Sequence, residues 1–224
     1  MPEGVAKGGW ERHPQSRRLC GVMQRLRAGR VGVRFEGTVF RAVHPKYSRW
    51  RDLISGVGSR IGGSRWNPPG LTRVLHAAKF PEDALMEALA ERRRLGFSDA
   101  SGLPLVMRGI QCRLRHVLDL GDGEVRQRLG VSLERLVETN WRRENREGRE
   151  AITQAVGRAC YEAGYEGLLA PSSAAWTKVN VVVFVENLGE RSGLEIADGW
   201  DDAKLHELLL DFTRRRDDTA AEGA

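Results

Sequence analysis

Hydrophobic and polar positions follow two different periods along this chain, and the change between them outlines its secondary structure. Short runs that alternate or are uniformly apolar predict strands. They occupy residues 38–43, 72–78, 167–170 and 179–184, with one or two more strands within 103–118. Runs with a helical period occupy residues 81–95, 149–163 and 200–215, with short helical pieces at 122–138 and around 19–26. Strands and helices mix without a regular β-α-β repeat, so the sequence predicts an α+β fold.

The two clearest helices carry further signals. Pro81 suits a first helical turn, and the acids Glu82 and Asp83 follow where the helix dipole favours them. In the helix predicted over residues 149–163, the apolar stripe consists of Ile152, Ala155, Val156, Ala159 and Cys160. Both helices are therefore expected to pack one face on the core.

Residues 45–70 contain no sustained period and are predicted to form one long loop. Its second part, residues 56–70, holds five glycines, two prolines, two arginines, a tryptophan and an asparagine. Glycine lets the backbone adopt positive φ or approach a ligand closely, and arginine offers a fixed fork of donors that matches phosphate. This composition predicts a loop that binds an anion or shapes a cleft.

Composition narrows the class of protein. The chain has 224 residues, 41% of them hydrophobic, which suffices for one domain with a core. Neither an apolar run near the ~20 residues of a membrane span nor a signal peptide is evident, so a soluble cytoplasmic protein is expected. Cys20, Cys112 and Cys160 are far apart, and no histidines share a ligand spacing. We expect reduced thiols and no metal site.

The net charge of +6 is confined to one end of the chain. Residues 1–34 hold eight basic and two acidic side chains, and the rest of the chain is balanced. The sequence therefore predicts a basic N-terminal extension over residues 1–35, solvated and partly disordered. A folded domain is expected over 36–216 and a C-terminal tail over 217–224. The balanced body argues against direct DNA binding.

Four features occur in order along the chain. Arg41 lies within a strand, a Gly-Ser-Arg-Trp-Asn-Pro-Pro-Gly loop spans residues 63–70, Glu87 lies on the following helix, and Ser172 precedes the strand that contains Asn180. Together they resemble the RES-domain family over residues 37–186. The resemblance implies a single domain related to ADP-ribosyltransferases. It also implies the toxin half of a bacterial toxin–antitoxin pair, one that degrades NAD or transfers its ADP-ribose.

The resemblance also implies roles for these residues. Arg41 and Arg65 would bind the NAD diphosphate. Glu87 would orient the ribose and stabilise positive charge on its anomeric carbon as the bond to nicotinamide breaks. Ser172 would bind a phosphate or the nicotinamide amide. Because nicotinamide leaves from a cationic ring, no strong general acid is required.

Six further residues complete the predicted substrate site: Gly63, Trp66, Asn67, Asn180, His76 and Tyr47. Ser64 replaces a second glycine of the family loop, and His76 replaces a tyrosine. Tyr47 is the candidate to supply the missing ring hydroxyl. The distance in sequence from Glu87 to Ser172 implies an insertion around residues 121–148.

Each of these residues alone also has a structural interpretation. The sequence pattern alone supports two interpretations of Arg41 equally, an ion pair with an acid and the binding of a ligand. Glu87 lies off the apolar stripe of its helix, as a surface residue would. Ser172 and Asn67 are ordinary turn formers. Trp66 and His76 fit a role in core packing. Only their joint occurrence in order favours the functional interpretation.

The leading hypothesis is thus an NAD-cleaving toxin that uses water or inorganic phosphate as its second substrate and needs no other cofactor. Its partner would be an antitoxin with a helix-turn-helix domain, bound in a hetero-oligomer that fills the cleft beside residues 56–70. One alternative is ADP-ribosyl transfer to a protein, and another is a non-enzymatic module that binds nucleic acid or a partner through the basic arm. The enzyme is expected to lose activity with Glu87→Ala and to keep it without residues 1–34, whereas a binding module would do the reverse.

Overall fold

A computed structural model describes residues 10–94, 96, 98, 105–172 and 178–197. The predicted C-terminal helix at 200–215 and the tail at 217–224 lie outside the described residues. Within them, the fold combines one mixed sheet with flanking helices. The prediction of a fold that mixes strands and helices, made as an α+β class, is confirmed.

Six strands form the described sheet. They are β1 (Val33–Val43), β2 (Val74–Ala78), β3 (Val106–Asp119), β4 (Gly167–Pro171), β5 (Val179–Phe184) and β6 (Gly193–Ile196). Their order is β1-β2-β5-β4-β3-β6, and β1 also pairs along β3, so five strands close into a ring. Every pair is antiparallel except β3 with β4. The predicted strand positions hold, whereas β6 was not expected from the sequence.

Eight α-helices lie in the described part of the chain. They are α1 (Ser16–Ala28), α2 (Trp50–Ser55), α3 (Val57–Gly62), α4 (Pro81–Arg94), α5 (Gly123–Leu129), α6 (Leu133–Glu138), α7 (Trp141–Arg146) and α8 (Ile152–Glu162). Helices α4 and α8 match the two helices predicted most clearly, and α5 and α6 match the short pieces at 122–138.

The prediction of one long loop over residues 45–70 is wrong. A 3-10 turn at Pro45–Tyr47 precedes α2 and α3. Gly56 separates the two helices with a φ of 61°, and a Cβ there would lie 2.7 Å from the backbone nitrogen of Val74. Glycine is therefore required for both the left-handed turn and the close contact with β2.

Side chains of the sheet divide between two apolar clusters by the alternation of each strand. Val182 and Phe184 of β5 and Leu168 of β4 face a cluster that includes α1 and α8. Val181 and Val183 face the opposite cluster, which lies against β1 and β3. A third cluster joins α4 to Phe40 and Met107. Helices α1, α8 and α4 thus pack on one face of the strand ring, and Leu53 of α2 packs with the cluster on the other face.

The N-terminal segment belongs to the folded body from residue 10 onward. Leu19, Met23 and Leu26 of α1 are buried against α8. Glu150 extends this contact, because its Oε2 accepts hydrogen bonds from Ser16 Oγ (3.1 Å) and the His13 nitrogen (3.0 Å), while Arg158 Nε lies 2.8 Å from its Oε1. The expectation of a solvated extension therefore does not hold for residues 10–29.

Two expectations from composition can be compared with the described residues. Cys20, Cys112 and Cys160 are free thiols, and the last two are buried. None of the described helices combines the length and apolarity that crossing a membrane requires.

Candidate functional site

The turn at residues 64–67 presents two side chains in different directions. Its ends are joined by reciprocal backbone hydrogen bonds, Ser64 N to Asn67 O (2.7 Å) and Asn67 N to Ser64 O (3.2 Å). Trp66 enters the core and is 2% exposed, whereas Arg65 extends towards α6. Gly63, at a φ of 71°, begins the turn, and a Cβ there would lie 2.9 Å from Pro69 Cδ.

Helix α8 contacts this turn directly and supports it. Gln154 Nε2 donates to the carbonyl oxygens of Ser64 (3.0 Å) and Asn67 (3.3 Å). Gly157 lies so close that a Cβ would come within 1.8 Å of the Trp66 carbonyl oxygen. The position of the turn is therefore fixed by α8 through one amide side chain and one glycine.

One face of the sheet brings distant residues together. Opposed strand positions point to the same face, and Asn180 of β5 is opposed to Ala78 of β2 and Ala170 of β4. His76 lies two residues before Ala78, and Ser172 two residues after Ala170. His76, Asn180 and Ser172 consequently lie on the same side of the sheet.

Glu87 of α4 joins this group. Its Oε1 accepts hydrogen bonds from Ser172 Oγ (2.7 Å) and from Asn180 Nδ2 (2.9 Å). Asp83, one turn earlier on α4, forms an ion pair with Lys178, whose carbonyl oxygen accepts from the Ser172 nitrogen at 2.9 Å. Glu87 lies off the apolar stripe because this edge of α4 faces the start of β5 rather than the α4–β1 core.

Arg41 projects from β1 into the same region. Its Nη1 donates to the Leu53 carbonyl oxygen at 2.6 Å. Burial lowers the pKa of Arg41 to about 10, so the guanidinium remains protonated near neutral pH. A cation in such a place favours the binding of an anion.

Arg65 has a comparable environment at the end of α6. Its Nη1 lies within hydrogen-bond distance of the carbonyl oxygens of Leu136 (3.0 Å), Val137 (3.3 Å) and Thr139 (3.1 Å). These groups belong to a helix C-terminus, which favours a cation. Burial lowers the pKa of Arg65, the Glu87 carboxylate opposes this, and Arg142 adds to it.

His76 lies among these arginines as a neutral base. Its Nε2 is 2.9 Å from Ser64 Oγ. Burial, followed by the charges of Arg41, Arg65 and Arg142, lowers the pKa of His76 to about 3. The imidazole therefore carries no charge at neutral pH.

A cavity of about 630 Å³ joins these groups. Its lining includes the predicted residues Arg41, Arg65, Trp66, His76, Glu87 and Asn180. This volume lies within the usual range for a site that binds a small molecule or cofactor. The lining combines apolar side chains with polar ones and carries three guanidinium groups, so it suits an anionic ligand.

Four predicted residues do not line this cavity. Ser172 is 3% exposed and reaches the site through its hydrogen bond to Glu87. Asn67 is fully buried, with Nδ2 donating to the carbonyl oxygens of Ser59 and Thr72, as a turn former would. Gly63 shapes the turn, and Tyr47 is 53% exposed on the 3-10 turn. No cluster of three potential metal ligands occurs among the described side chains.

A family model described as the RES domain matches residues 38–201. The chain belongs to the RES domain family. This match covers most of the chain, and it includes every side chain that lines the cavity.

Two similar proteins are the NAD(+) phosphorylases MbcT of Mycobacterium tuberculosis and Mycobacterium bovis. Each is 26% identical over 155 residues, which is 68% of this chain and 76% of the relative. The fold is also similar to the crystal structure of the M. tuberculosis MbcT–MbcA toxin–antitoxin complex. That comparison gives a TM-score of 0.63 at 25% identity and covers 84% of this chain and 96% of the other.

Sequence reasoning missed several residues of this RES domain site. A glycine inside a helical pattern often marks close packing, so Gly157 carried a readable signal. Asp83 lies four residues before the predicted Glu87, so its place on the same edge of α4 also could have been noticed. Gln154 and Arg142 carried no local signal, because their roles depend on contacts with the turn and the cavity.

Proposed function

We propose that this RES domain cleaves the bond between nicotinamide and ribose in NAD, using inorganic phosphate as its second substrate. The observation that carries the proposal is the contact of Glu87 with both Ser172 and Asn180 at a cavity lined by arginines. Similarity to the MbcT phosphorylases supports the same substrate pair.

In this proposal Glu87 acts on the ribose. Hydrogen bonds from Ser172 and Asn180 hold one carboxylate oxygen in place, so the carboxylate is preorganised to stabilise positive charge as the glycosidic bond breaks. The bonding electrons pass to the nicotinamide nitrogen and neutralise the ring. A phosphate oxygen then forms the new bond to the anomeric carbon and yields ADP-ribose carrying a 1″-phosphate.

The weak basicity of His76 also favours phosphate over water. Water must lose a proton as it attacks, whereas a phosphate dianion attacks without a base. With its pKa lowered to about 3, His76 is a weak base for activating water. The surrounding guanidinium groups would attract the phosphate.

Release of nicotinamide from NAD, with and without inorganic phosphate, tests this function. Glu87→Gln should lower the rate roughly 100-fold or more, because a preorganised carboxylate is lost. Glu82→Gln is the matched control, since Glu82 is exposed in the first turn of the same helix. Turnover that is independent of phosphate would indicate a glycohydrolase, and no release by the folded wild-type protein would contradict NAD cleavage.

The wider biological role follows from this activity. An enzyme that consumes NAD in the cytoplasm would act there as a toxin, and the MbcT–MbcA complex supports an antitoxin partner. We propose that a partner with a helix-turn-helix domain covers the cavity beside residues 56–70, which inhibition of NAD cleavage by the purified partner would test. A relation to the ADP-ribosyltransferase fold is part of the same proposal.

The two alternatives have less support. ADP-ribosyl transfer would need a protein acceptor in place of phosphate. A nucleic-acid-binding module driven by the basic arm leaves the arginines and Glu87 of the cavity without a role. Helix α1 of that arm is also packed against α8, so much of the arm serves the fold.

A further inference from the structure

Residues 138–142, which join α6 to α7, form one wall of the cavity, and Ser64 and Arg65 of the turn at 64–67 form another part of its lining. The wall lies within residues 121–148, for which the sequence predicts an insertion. Because the wall and the turn are far apart in the chain, the shape of the cavity depends on the contacts that connect them.

Asn145 and Gln154 make one of these connections through their amide side chains. Asn145 Nδ2 donates to Gln154 Oε1 at 2.7 Å, and Gln154 Nε2 donates to Asn145 Oδ1 at 2.9 Å. Asn145 follows the wall in α7, whereas Gln154 lies on α8 and is fully buried. The amide pair therefore links the end of the wall to a buried helix.

The Gln154 side chain also holds the turn. Its Nε2 donates to the carbonyl oxygens of Ser64 (3.0 Å) and Asn67 (3.3 Å), and its Oε1 accepts from the Ala151 nitrogen at 3.1 Å. Only one orientation of the amide satisfies these contacts, because its nitrogen must face the carbonyl oxygens while its oxygen faces a backbone N–H. One buried side chain thus connects the wall, the turn and α8.

Arg65 connects the wall and the turn a second time. Its Nη1 lies within hydrogen-bond distance of the carbonyl oxygens of Leu136, Val137 and Thr139, where the wall begins. The turn therefore holds the start of the wall, and Gln154 holds both the end of the wall and the turn. A shift of either part alone would leave buried polar groups unpaired, which is costly.

Resting on the proposed function, we propose that Asn145 and Gln154 are positioning residues that hold the wall and the turn at the separation that binds NAD. Neither is among the described side chains that line the cavity. Without the pair, the lining would exchange between arrangements, and only the competent fraction would bind, which raises the apparent dissociation constant. Glu87 is held separately, by Ser172 and Asn180, so the rate of cleavage of bound NAD should change little.

Gln154→Met tests this role, because methionine has a similar length but no hydrogen-bond donor. The KM for NAD should rise roughly tenfold, and kcat should change less than about threefold. A variant that was only less stable would show the opposite split, because unfolding lowers the concentration of active enzyme, and hence the apparent kcat, without changing KM. An unchanged KM for NAD in folded Gln154→Met would overturn the proposal.

Thr153→Val is the matched control. Thr153 is the adjacent residue of α8 and is fully buried, and its Oγ1 has no hydrogen-bond partner among the described residues. Valine has nearly the same shape, so this variant changes a buried side chain without removing a hydrogen bond. Its KM and kcat should match the wild type, and a rise in KM as large as that of Gln154→Met would contradict a role for the amide pair.

Asn145→Ala separates the two parts of the connection. It removes the link to α7 and keeps the hydrogen bonds from Gln154 to the turn, so the KM for NAD should rise here too. Adding Asn145→Ala to Gln154→Met should raise KM no further, since residues that act through one contact are not additive, and effects that multiply would contradict the pair. Because Asn145 is only half-buried, its variant tests the proposal if Gln154→Met does not fold.

Hydrogen exchange followed by mass spectrometry provides a readout that does not depend on turnover. Amides of residues 138–142 should exchange roughly fivefold faster in Gln154→Met and in Asn145→Ala, and those of residues 64–67 only in Gln154→Met. Thr153→Val should match the wild type in both segments. Unchanged exchange in Gln154→Met would overturn the proposal, whereas folded wild type that releases no nicotinamide would count against the proposed function instead.

Discussion

His76 and Ser64 are two departures from the family pattern, one in β2 and one in the loop, and the fold brings them into contact at 2.9 Å. The sequence presents them as separate changes twelve residues apart. A protonated His76 would add a positive charge beside Arg41, Arg65 and Arg142, so the site requires the neutral imidazole. Its hydrogen bond to Ser64 then fixes the orientation of a hydroxyl group at the cavity.

This environment predicts a dependence of stability on pH. The pKa of His76 is lowered from 6.5 to about 3 in the folded protein, so between these values the unfolded chain binds more protons. The free energy of unfolding should therefore fall as the pH drops from about 6.5 towards about 3, by at most about 1.4 kcal/mol per pH unit from this residue.

Urea unfolding of the wild type and of His76→Gln at several pH values from about 7 to about 5 measures this contribution. Glutamine keeps a polar side chain but does not titrate, so its stability should change less with acidification. His13 and His116 also have lowered pKa values, but they are common to both proteins. Parallel pH profiles for the two proteins would contradict the assignment to His76.

At the level of elements, helix α8 determines where the turn at residues 64–67 lies. Every residue from Ile152 to Cys160 is buried, although the sequence predicted a helix with one apolar stripe. The second face is covered by α1 and by the turn at residues 64–67, which a local pattern cannot reveal. The polar Gln154 and the small Gly157 fit that second face because one bonds the turn and the other leaves room for it.

Gly157→Ala should separate the turn from α8. The new methyl group would lie 1.8 Å from the Trp66 carbonyl oxygen, so the backbone must move. We expect a loss of roughly 1–3 kcal/mol in the free energy of unfolding, despite the better helix propensity of alanine. Because Ser64 and Arg65 lie on the displaced turn, the rate of nicotinamide release should also fall.

Gly21→Ala in α1 is the matched control for thermal unfolding and activity. A Cβ there meets only the Arg25 side chain at 3.6 Å, an ordinary contact. Alanine should therefore stabilise α1 by up to about 1 kcal/mol and leave activity unchanged. If Gly157→Ala behaved like this control, the turn would not depend on close contact with α8.

The sequence predicted the helices and strands of this site better than the contacts between them. Strands β2 and β5 and helix α4 were expected at nearly their observed positions, because their patterns are local. The contact of Glu87 with Ser172 joins residues 85 positions apart in the chain, so only the resemblance to a family indicated it. Helices α2 and α3 were missed because each has only six residues and a glycine separates them, so neither shows enough of a period to detect.

For the whole molecule, the main revision concerns the N-terminal segment. Its positive charge favoured the interpretation of a solvated arm, although Leu19, Met23 and Leu26 follow the spacing of one helical face. The basic side chains of α1 are compatible with packing because they occupy the remaining positions around the helix. The bonds from residues 13 and 16 to Glu150 have no sequence signal, since they join segments more than 130 residues apart.

Deletion of residues 1–29 should therefore unfold the enzyme, whereas deletion of residues 1–9 should leave nicotinamide release near the wild-type rate. The longer deletion removes the side chains of Leu19, Met23 and Leu26 from the core, each worth roughly 1.5–3 kcal/mol. The three contributions together are comparable to the net free energy of unfolding of a typical domain, about 5–15 kcal/mol. It also uncovers the buried pair of Glu150 and Arg158. Thermal unfolding followed by circular dichroism and the activity assay, applied to both truncations, measure the effect. If the variant that lacks residues 1–29 kept the wild-type Tm and turnover, α1 would be dispensable, as the charge pattern alone had suggested.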